Sequence, residues 1–201
     1  MQHMLLETLG FAVLMACGAQ SYDDIEVTRD QTRLPAMAWD HRPEASSWTA
    51  AGLNAVASHG AALTRTVPGD VEGYCPGYAD ASERQRAAFW VGMMSALAEH
   101  ESTWRPDAVG GGGQWFGLTQ ISPATARGHG CNASTGKALL GGAANISCAI
   151  RIAAAQVGRD GFMVRDGAGW RGLGRDWAPF RDPGKRERMA ALTAAQPYCR
   201  A

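Results

Sequence analysis

Residues 87–101 read AAFWVGMMSALAEHE, an apolar stretch that ends on a glutamate. At about 100° per residue, Trp90, Met94 and Leu97 fall on one stripe of a helix, and the next position of that stripe is Glu101. A carboxyl group therefore stands where the pattern requires an apolar side chain. Burial raises the pKa of a carboxyl group, and a protonated acid near neutral pH can donate a proton to a leaving oxygen. The alternative is a glutamate that lies past the helix end in water.

Several short motifs follow in order along the chain. They are Glu101-Ser102, Pro106-Asp107-Ala108, Gly117-Leu118-Thr119-Gln120-Ile121 and Pro123-Ala124-Thr125-Ala126, with Asn145-Ile146 opening an alanine-rich stretch. Together they resemble the signature of the lytic transglycosylases related to goose-type lysozyme, over roughly residues 80–160. The resemblance implies a mainly α, lysozyme-like α+β fold: a single helical domain with a small glycine-rich loop or hairpin that lines a sugar-binding cleft.

The same resemblance implies an activity. Glycosidases generally use two carboxyl groups, whereas in this family one glutamate serves as acid and then as base. Glu101 would cleave the β-1,4 bond between N-acetylmuramic acid and N-acetylglucosamine of peptidoglycan and leave a 1,6-anhydro product. The implied substrate-binding residues are Ser102, which orients Glu101 or its loop, Gly117 and Leu118, whose backbone lines the cleft, Gln120, which binds a substrate amide, and Asn145.

Aromatic residues add a candidate that the motif does not contain. Trp115 follows the glycines at 110–113, and a tryptophan ring can stack on the apolar face of a sugar. The glycines themselves match no phosphate-binding loop, and they suit positive φ angles or a close approach of the backbone to a ligand. No metal site or cofactor is expected, because the spacing of His129 and Cys131 matches no common zinc pattern.

The chain departs from the family pattern at three places. Thr119 stands where the family commonly has methionine, and the four glycines at 110–113 fall where a Ser-x-x-Gly-Ala sequence is usual. Many relatives carry a tyrosine close to the catalytic acid, but no tyrosine lies between Tyr78 and Tyr198. The residues that could fill that space are Trp170, Trp177 and Phe180.

Two other functions stay open. One is a hydrolytic lysozyme (muramidase), in which Asp107, Asp160 or Asp166 would position a water molecule. The other is a non-catalytic, peptidoglycan-binding envelope protein, which the missing tyrosine favours and the retained Glu101 opposes.

The cysteines and the N-terminus indicate export. Residues 1–20 contain a short apolar run typical of a signal peptide, although no Lys or Arg precedes it. Lipidation of Cys17, cleavage near Ala19 and a misassigned start codon all remain open. The four other cysteines suit two disulfides, and we favour Cys131 with Cys148 and Cys75 with Cys199. The predicted organisation is a signal or lipoprotein signal over 1–20, a polar tether over 21–44 and the catalytic domain over 45–201.

Charge and location restrict the partners. The chain has 19 basic and 19 acidic residues, so no basic surface indicates nucleic acid. We expect a monomer in the periplasm or cell envelope that acts on peptidoglycan strands, with a lipid anchor through Cys17 and a partner in an envelope or secretion machine as further options.

The predicted helices run from Ser46 to Leu63, from Asp80 or Ser82 to about Glu101, and over 123–127, 146–157 and 183–193. Residues 107–122 are expected to form a loop or short hairpin.

Overall fold

The computed structural model describes residues 34–200. Its α-helices are α1 (Ala45–Ser58), α2 (Ala61–Arg65), α3 (Glu83–Ser102), α4 (Pro123–Gly128), α5 (Gly136–Leu139), α6 (Gly142–Asp160), α7 (Leu173–Asp176) and α8 (Pro183–Ala194). Strands β1 (Val109–Gly110) and β2 (Trp115–Phe116) form an antiparallel hairpin, and short 3-10 turns cover Val71–Gly73, Ala178–Phe180 and Pro197–Cys199. The mainly helical architecture and the hairpin within 107–122 are confirmed. None of the described helices is both long and apolar enough to cross a membrane.

Helix α3 lies at the centre of the fold. It begins at the predicted Ser82 with a capping box, in which the Ser82 hydroxyl accepts a hydrogen bond from Gln85 N and the Ser82 N–H donates to Gln85 Oε1 at 2.9 Å. Every residue from 88 to 98 is buried, so the helix is covered on all sides rather than along one stripe. The reason is that α1, α2, α6 and α8 all pack against it. Trp90 is core, as its position on the stripe indicated.

The helix predicted from Ser46 to Leu63 is two helices. Helix α1 ends at Ser58, and the N–H groups of His59 and Gly60 both donate to Ala55 O, which closes the helix. A Cβ atom on Gly60 would lie 2.7 Å from the side chain of Ile150 and 2.8 Å from Val56 Cα. The chain therefore turns at the one residue small enough to pass between these neighbours, and the single-helix prediction is wrong.

The folded part of the chain begins before residue 45. Met37 and Trp39 are buried, and the Trp39 N–H donates to Ser95 Oγ at 3.0 Å. Residues 34–44 thus include core positions, although the polar composition of 21–44 predicted a tether. Cys17, the signal segment and tether residues 21–33 lie outside the described residues.

Two disulfides close the fold, and they join the cysteines that the sequence favoured. Cys75 and Cys199 are 124 residues apart in sequence, with Cα atoms 4.8 Å apart. Cys131 and Cys148 are 17 residues apart, with Cα atoms 5.3 Å apart. Restricting the unfolded chain in this way stabilises a protein by about 3–5 kcal/mol for loops of these lengths.

Candidate active site

Glu101 occupies the last turn of α3 and is partly buried. No hydrogen bond joins its carboxyl group to another residue within 34–200. Burial without a hydrogen-bond partner disfavours the carboxylate, and it raises the pKa of Glu101 from 4.5 to about 7. The side chain can therefore hold its proton, or release it, at neutral pH. Glu99, expected to face solvent, is partly exposed.

Two cations partly offset the effect of burial on the pKa of Glu101. Lys185, in the first turn of α8, and Arg181, just before that helix, both lower the pKa of Glu101 by attraction to its charged form. The Arg181 guanidinium is held by hydrogen bonds to Gly174 O and Arg175 O. Sequence reasoning missed both residues, because they lie about 80 positions from Glu101 and look like ordinary surface cations.

Ser102 connects the end of α3 to residues 117–120, the Gly-Leu-Thr-Gln motif, here called the motif turn. The Ser102 hydroxyl is buried and donates to Leu118 O at 2.9 Å and to Ala98 O at 3.2 Å. The side chain of Leu118 is fully buried. Ser102 therefore fixes the distance between the helix end that carries Glu101 and the motif turn.

Asn145 supports the motif turn from below. Its Oδ1 accepts hydrogen bonds from Thr119 N at 2.9 Å and Thr119 Oγ1 at 2.7 Å, and its Nδ2 donates to Phe116 O and Leu139 O. Since Asn145 is fully buried and both ends of its amide are occupied, it does not face a ligand, which corrects its expected role in substrate binding. Thr119, also fully buried, belongs to this network through its hydroxyl group.

Backbone geometry explains the glycine of the motif turn. Gly117 has φ of 79°, and a Cβ atom there would lie 2.2 Å from Leu139 O and 2.4 Å from Asn145 Nδ2. Both the left-handed conformation and the lack of space require glycine. Gly117 and Leu118 are buried, so they form the floor under the site.

Gln120 has one free end. Its Nε2 donates to Gly117 O at 2.9 Å and Ala108 O at 3.2 Å, and since both partners are carbonyl oxygens, the amide NH2 is the end that faces them. The Oε1 atom is directed toward Gly110 and accepts no hydrogen bond from another described residue. The residue is partly exposed, so Oε1 is available to a donor on a ligand.

The β1–β2 hairpin presents Trp115. Residues Gly111, Gly112 and Gly113 have φ of 55°, 64° and 95°, so the turn uses three left-handed residues. A Cβ atom on Gly111 would lie 2.1 Å from the Trp115 ring, which shows that the ring packs across the glycine turn. Trp115 is still 46% exposed and offers an apolar face to solvent.

Trp177 is the aromatic residue that reaches the motif turn. Its indole N–H donates to Thr119 O at 3.0 Å, and the side chain is buried. Trp170 lies instead on an exposed loop, with the Arg165 guanidinium 5.4 Å from its ring centre, and Phe180 is fully buried. Of the three candidates for the space of the missing tyrosine, Trp177 is thus the one that contacts this turn, through a donor and without a hydroxyl group.

Part of the chain matches a known family. Residues 80–158 match the family model described as the Transglycosylase SLT domain. The resemblance that rested on Glu101-Ser102 and the following motifs is therefore confirmed.

Solved structures show the same fold. One is wild-type Bd0314 DslA, at 27% identity and a TM-score of 0.73, covering 84% of this chain and 100% of that one. Two Bd0314 DslA variants, each with a glutamate replaced by glutamine, match at 27% and 25% identity with TM-scores of 0.73 and 0.74 and the same coverage. A search of curated proteins gives no match. The lysozyme-like fold class is confirmed.

Other carboxyl groups in or beside the SLT domain have different surroundings. Asp160 accepts hydrogen bonds from Gly172 N and Arg175 Nε, and Asp166 accepts from Ala168 N and Gly169 N. Both carboxylates thus stabilise loops. Asp107 is exposed and has no hydrogen bond from its side chain to another described residue, which leaves it the least committed of the three.

Glu101 lies neither in a group of metal-ligating side chains nor beside the small cavity found among the described residues. Within 34–200, no three His, Cys, Asp or Glu side chains are arranged to hold a metal ion. A cavity of about 70 Å³ lies elsewhere, among residues that include Met37, Gly92, Leu192 and Tyr198. It is small and mostly apolar, and Glu101 does not line it.

Proposed function

We propose that this protein is a peptidoglycan lytic transglycosylase in which Glu101 is the single acid and base. The observation that carries this proposal is the Glu101 carboxyl group itself, partly buried at the end of α3, without a hydrogen-bond partner among the described residues, and with a pKa of about 7. An acid and base works best when its pKa is close to the working pH. The match of residues 80–158 to the SLT domain supports the choice of substrate.

The reaction has two proton transfers. Protonated Glu101 donates its proton to the glycosidic oxygen between N-acetylmuramic acid and N-acetylglucosamine, and the acetamido group assists as the bond to that oxygen breaks. The resulting carboxylate then takes the proton of the muramic 6-hydroxyl, whose oxygen closes the 1,6-anhydro ring. Protons balance and no water is consumed. Arg181 and Lys185 stabilise the carboxylate between the two steps.

Substrate contacts come from the two sides of the site. The exposed ring of Trp115 offers a face on which a sugar can stack, and the free Oε1 of Gln120 can accept a hydrogen bond from an acetamido N–H. Ser102, Gly117, Leu118 and Asn145 act indirectly, because their polar groups hold the motif turn in place.

Asp107 supports a second candidate, a hydrolytic lysozyme. Its exposed carboxylate lies in the segment between the Glu101 helix and the hairpin, and no described residue neutralises it. Were it to position a water molecule against the sugar, the product would have a reducing end. The two functions therefore differ in product and not in the role of Glu101 as acid.

The cellular setting belongs to the same proposal. Two disulfides fit an oxidising compartment, and the periplasm or cell envelope is where peptidoglycan is accessible. We propose a signal or lipoprotein signal over 1–20, a tether that begins at 21 and ends before Met37, and a catalytic domain that includes Met37 and Trp39.

The test is mass spectrometry of the muropeptides released from purified sacculi by the full chain. We expect anhydro-muropeptides from the unmutated protein and from Glu99→Gln, a matched change two residues away, and none from Glu101→Gln. Reducing-end products would establish the hydrolase. Binding to sacculi by all three proteins without release of product would show a non-catalytic binder.

A further inference from the structure

The turn directly after Glu101 is conformationally costly. Thr103 and Trp104 both have φ of 53°, so two consecutive non-glycine residues adopt the left-handed conformation. This conformation is unfavourable for any residue with a side chain, and a β-branched residue such as Thr103 adopts it rarely. The backbone is closed by hydrogen bonds from Thr103 N to Glu99 O at 3.0 Å and from Trp104 N to Ala98 O at 3.2 Å. Contacts from outside the turn must supply the rest of its stability.

The Trp104 side chain supplies one of these contacts. Its indole N–H donates to Ser95 O at 2.9 Å, so the ring folds back along α3 instead of pointing into the sugar site. The His41 ring meets the Trp104 ring edge-on, with centres 4.6 Å apart and planes at 75°. Trp104 is therefore held between its own helix and the chain segment that precedes α1.

That segment, residues 37–42, is itself anchored to α3, and we call it the N-terminal strap. The Trp39 N–H donates to the buried Ser95 Oγ at 3.0 Å, and the Trp39 indole donates to Thr49 Oγ1 at 2.9 Å. Hydrogen bonds from Met37 N to Asp40 Oδ2 and from Arg42 N to Trp39 O keep the strap turned. Ser95 thus receives the strap on its hydroxyl and Trp104 on its carbonyl group.

We propose that Trp104, held by the N-terminal strap, is a positioning residue that fixes the turn after Glu101 and thereby keeps the catalytic acid in its partly buried position. The catalytic role of Glu101 rests on the function proposed above, whereas the positioning of its carboxyl group by Trp104 does not. When Trp104 loses its anchor, Thr103 and Trp104 relax to negative φ, the last turn of α3 opens, and water reaches Glu101.

The pKa of Glu101 can report this hydration, provided that the other charges near Glu101 stay constant. The charged and titratable groups near this helix end are Glu99 and His100 from α3 itself, His41 from the strap, and four groups from the α8 side: Arg181, Asp182, Lys185 and Arg188. Replacing Trp104 changes none of these charges. A change in the pKa of Glu101 would therefore report hydration of its carboxyl group.

The experiment compares Trp104→Phe with Trp90→Phe in the full chain. Trp90 is a matched control: it lies on α3, the helix to which Trp104 is hydrogen-bonded, is fully buried, and also donates through its indole N–H, to Tyr78 Oη at 2.8 Å. The pKa of Glu101 is followed by NMR titration of ¹³C-labelled glutamate carboxyl groups, with Glu101→Gln to assign the signal. kcat, KM and their pH profiles are measured on sacculi.

We expect Trp104→Phe to lower the pKa of Glu101 by about 0.5–1 unit toward its ordinary value, since hydration favours the carboxylate. The alkaline limb of activity should move to lower pH by the same amount, with kcat reduced about 5–10-fold and KM nearly unchanged. Trp90→Phe should lower Tm and leave the pKa of Glu101 where it is.

Equal Glu101 pKa values in the two variants would overturn the proposal and leave Trp104 a merely structural residue. Should Trp104→Phe fail to fold, His41→Ala removes only the outer contact to the ring and is expected to shift the pKa in the same direction, and no shift there would also overturn it. If Trp104→Phe shifts the pKa of Glu101 but the unmutated protein releases no muropeptides, the proposed function is wrong and the positioning role of Trp104 still holds.

Discussion

Two carboxyl groups stand at the C-terminal ends of the two longest described helices, and their pKa values move in opposite directions. Glu101 lies in the last turn of α3, and Asp160 is the last residue of α6. Negative charge is disfavoured at this end of a helix, and burial raises the pKa of both groups. For Asp160, hydrogen bonds from Arg159, Arg175 and Gly172 N outweigh burial, and its pKa falls below the ordinary value.

The difference shows what makes a buried acid useful for catalysis. Position in the helix and burial are shared, so neither determines the outcome. Asp160 is hydrogen-bonded by two guanidinium groups and one amide, and it becomes a fixed anion that holds the 160–175 loop. Glu101 has cations nearby but no donor in contact among the described residues, so it keeps a proton that it can transfer. Direct hydrogen bonds decide between a structural carboxylate and an acid.

The largest expected effect is on activity. Glu101→Gln should reduce the release of muropeptides by about 1,000-fold or more, because the amide cannot donate or accept the transferred proton. Asp160→Ala should keep activity within about twofold, because its hydrogen bonds hold a loop and not the reacting group. Initial rates on sacculi at pH 6 measure both. An inactive, folded Asp160→Ala protein would break the comparison.

The second prediction concerns stability against pH. The unfolded chain releases the Glu101 proton near pH 4.5, whereas the folded protein keeps it to about pH 7. Folding therefore becomes less favourable as the pH rises through this window, by roughly 2–3 kcal/mol in total. Glu101→Gln has no proton to release in this window, so its stability does not fall for this reason. The free energy of unfolding of the variant should therefore rise relative to that of the wild type between pH 4.5 and pH 7. Urea titrations at four pH values test this, and parallel curves would contradict it.

The third prediction is a loss of stability without a loss of function. Asp160→Ala leaves Gly172 N and Arg175 without their acceptor and should lower the free energy of unfolding by about 1–2 kcal/mol at pH 7. Since the folded pKa of Asp160 is depressed, its stabilisation is present above the ordinary pKa and disappears as the pH falls through the folded value. The variant and wild type should thus converge in strong acid. Asp107→Ala, an exposed carboxylate, is the control.

The smallest expected effect tests the cations beside Glu101. Lys185→Met should raise the pKa of Glu101 further, by about 0.2–0.5 unit, since a charge that favours the carboxylate is lost. The alkaline limb of the activity profile should move up by that amount, and less so at high salt. Lys185→Arg keeps the charge and should behave like the wild type. A downward shift in Lys185→Met would mean that Lys185 does not act through its charge.

Local sequence patterns predicted the elements whose causes are local. A capping box at Ser82 and Gln85 begins α3, prolines at 123 and 183 begin α4 and α8, and glycines at 111–113 form the hairpin turn. Each of these signals acts within a few residues, and all four elements were predicted. The break at Gly60 was missed because its cause is contact with Ile150, 90 positions away. The prediction that Trp39 lies in a tether was wrong for a similar reason, because its hydrogen-bond partner, Ser95, is 56 positions away in sequence.

The sequence by itself determined the family resemblance and the candidate acid, because a helical stripe and short motifs are set by residues close together in the chain. It favoured the cysteine pairs without deciding them. Only the tertiary structure decided what surrounds Glu101: Arg181 and Lys185 from the α8 side, Ser102 bound to Leu118, and the strap bound to Ser95. It also showed that Asn145 supports the motif turn from within and that Asp160 is neutralised by arginines. These outcomes depend on which distant side chains come within hydrogen-bond distance, and chain folding alone sets that distance.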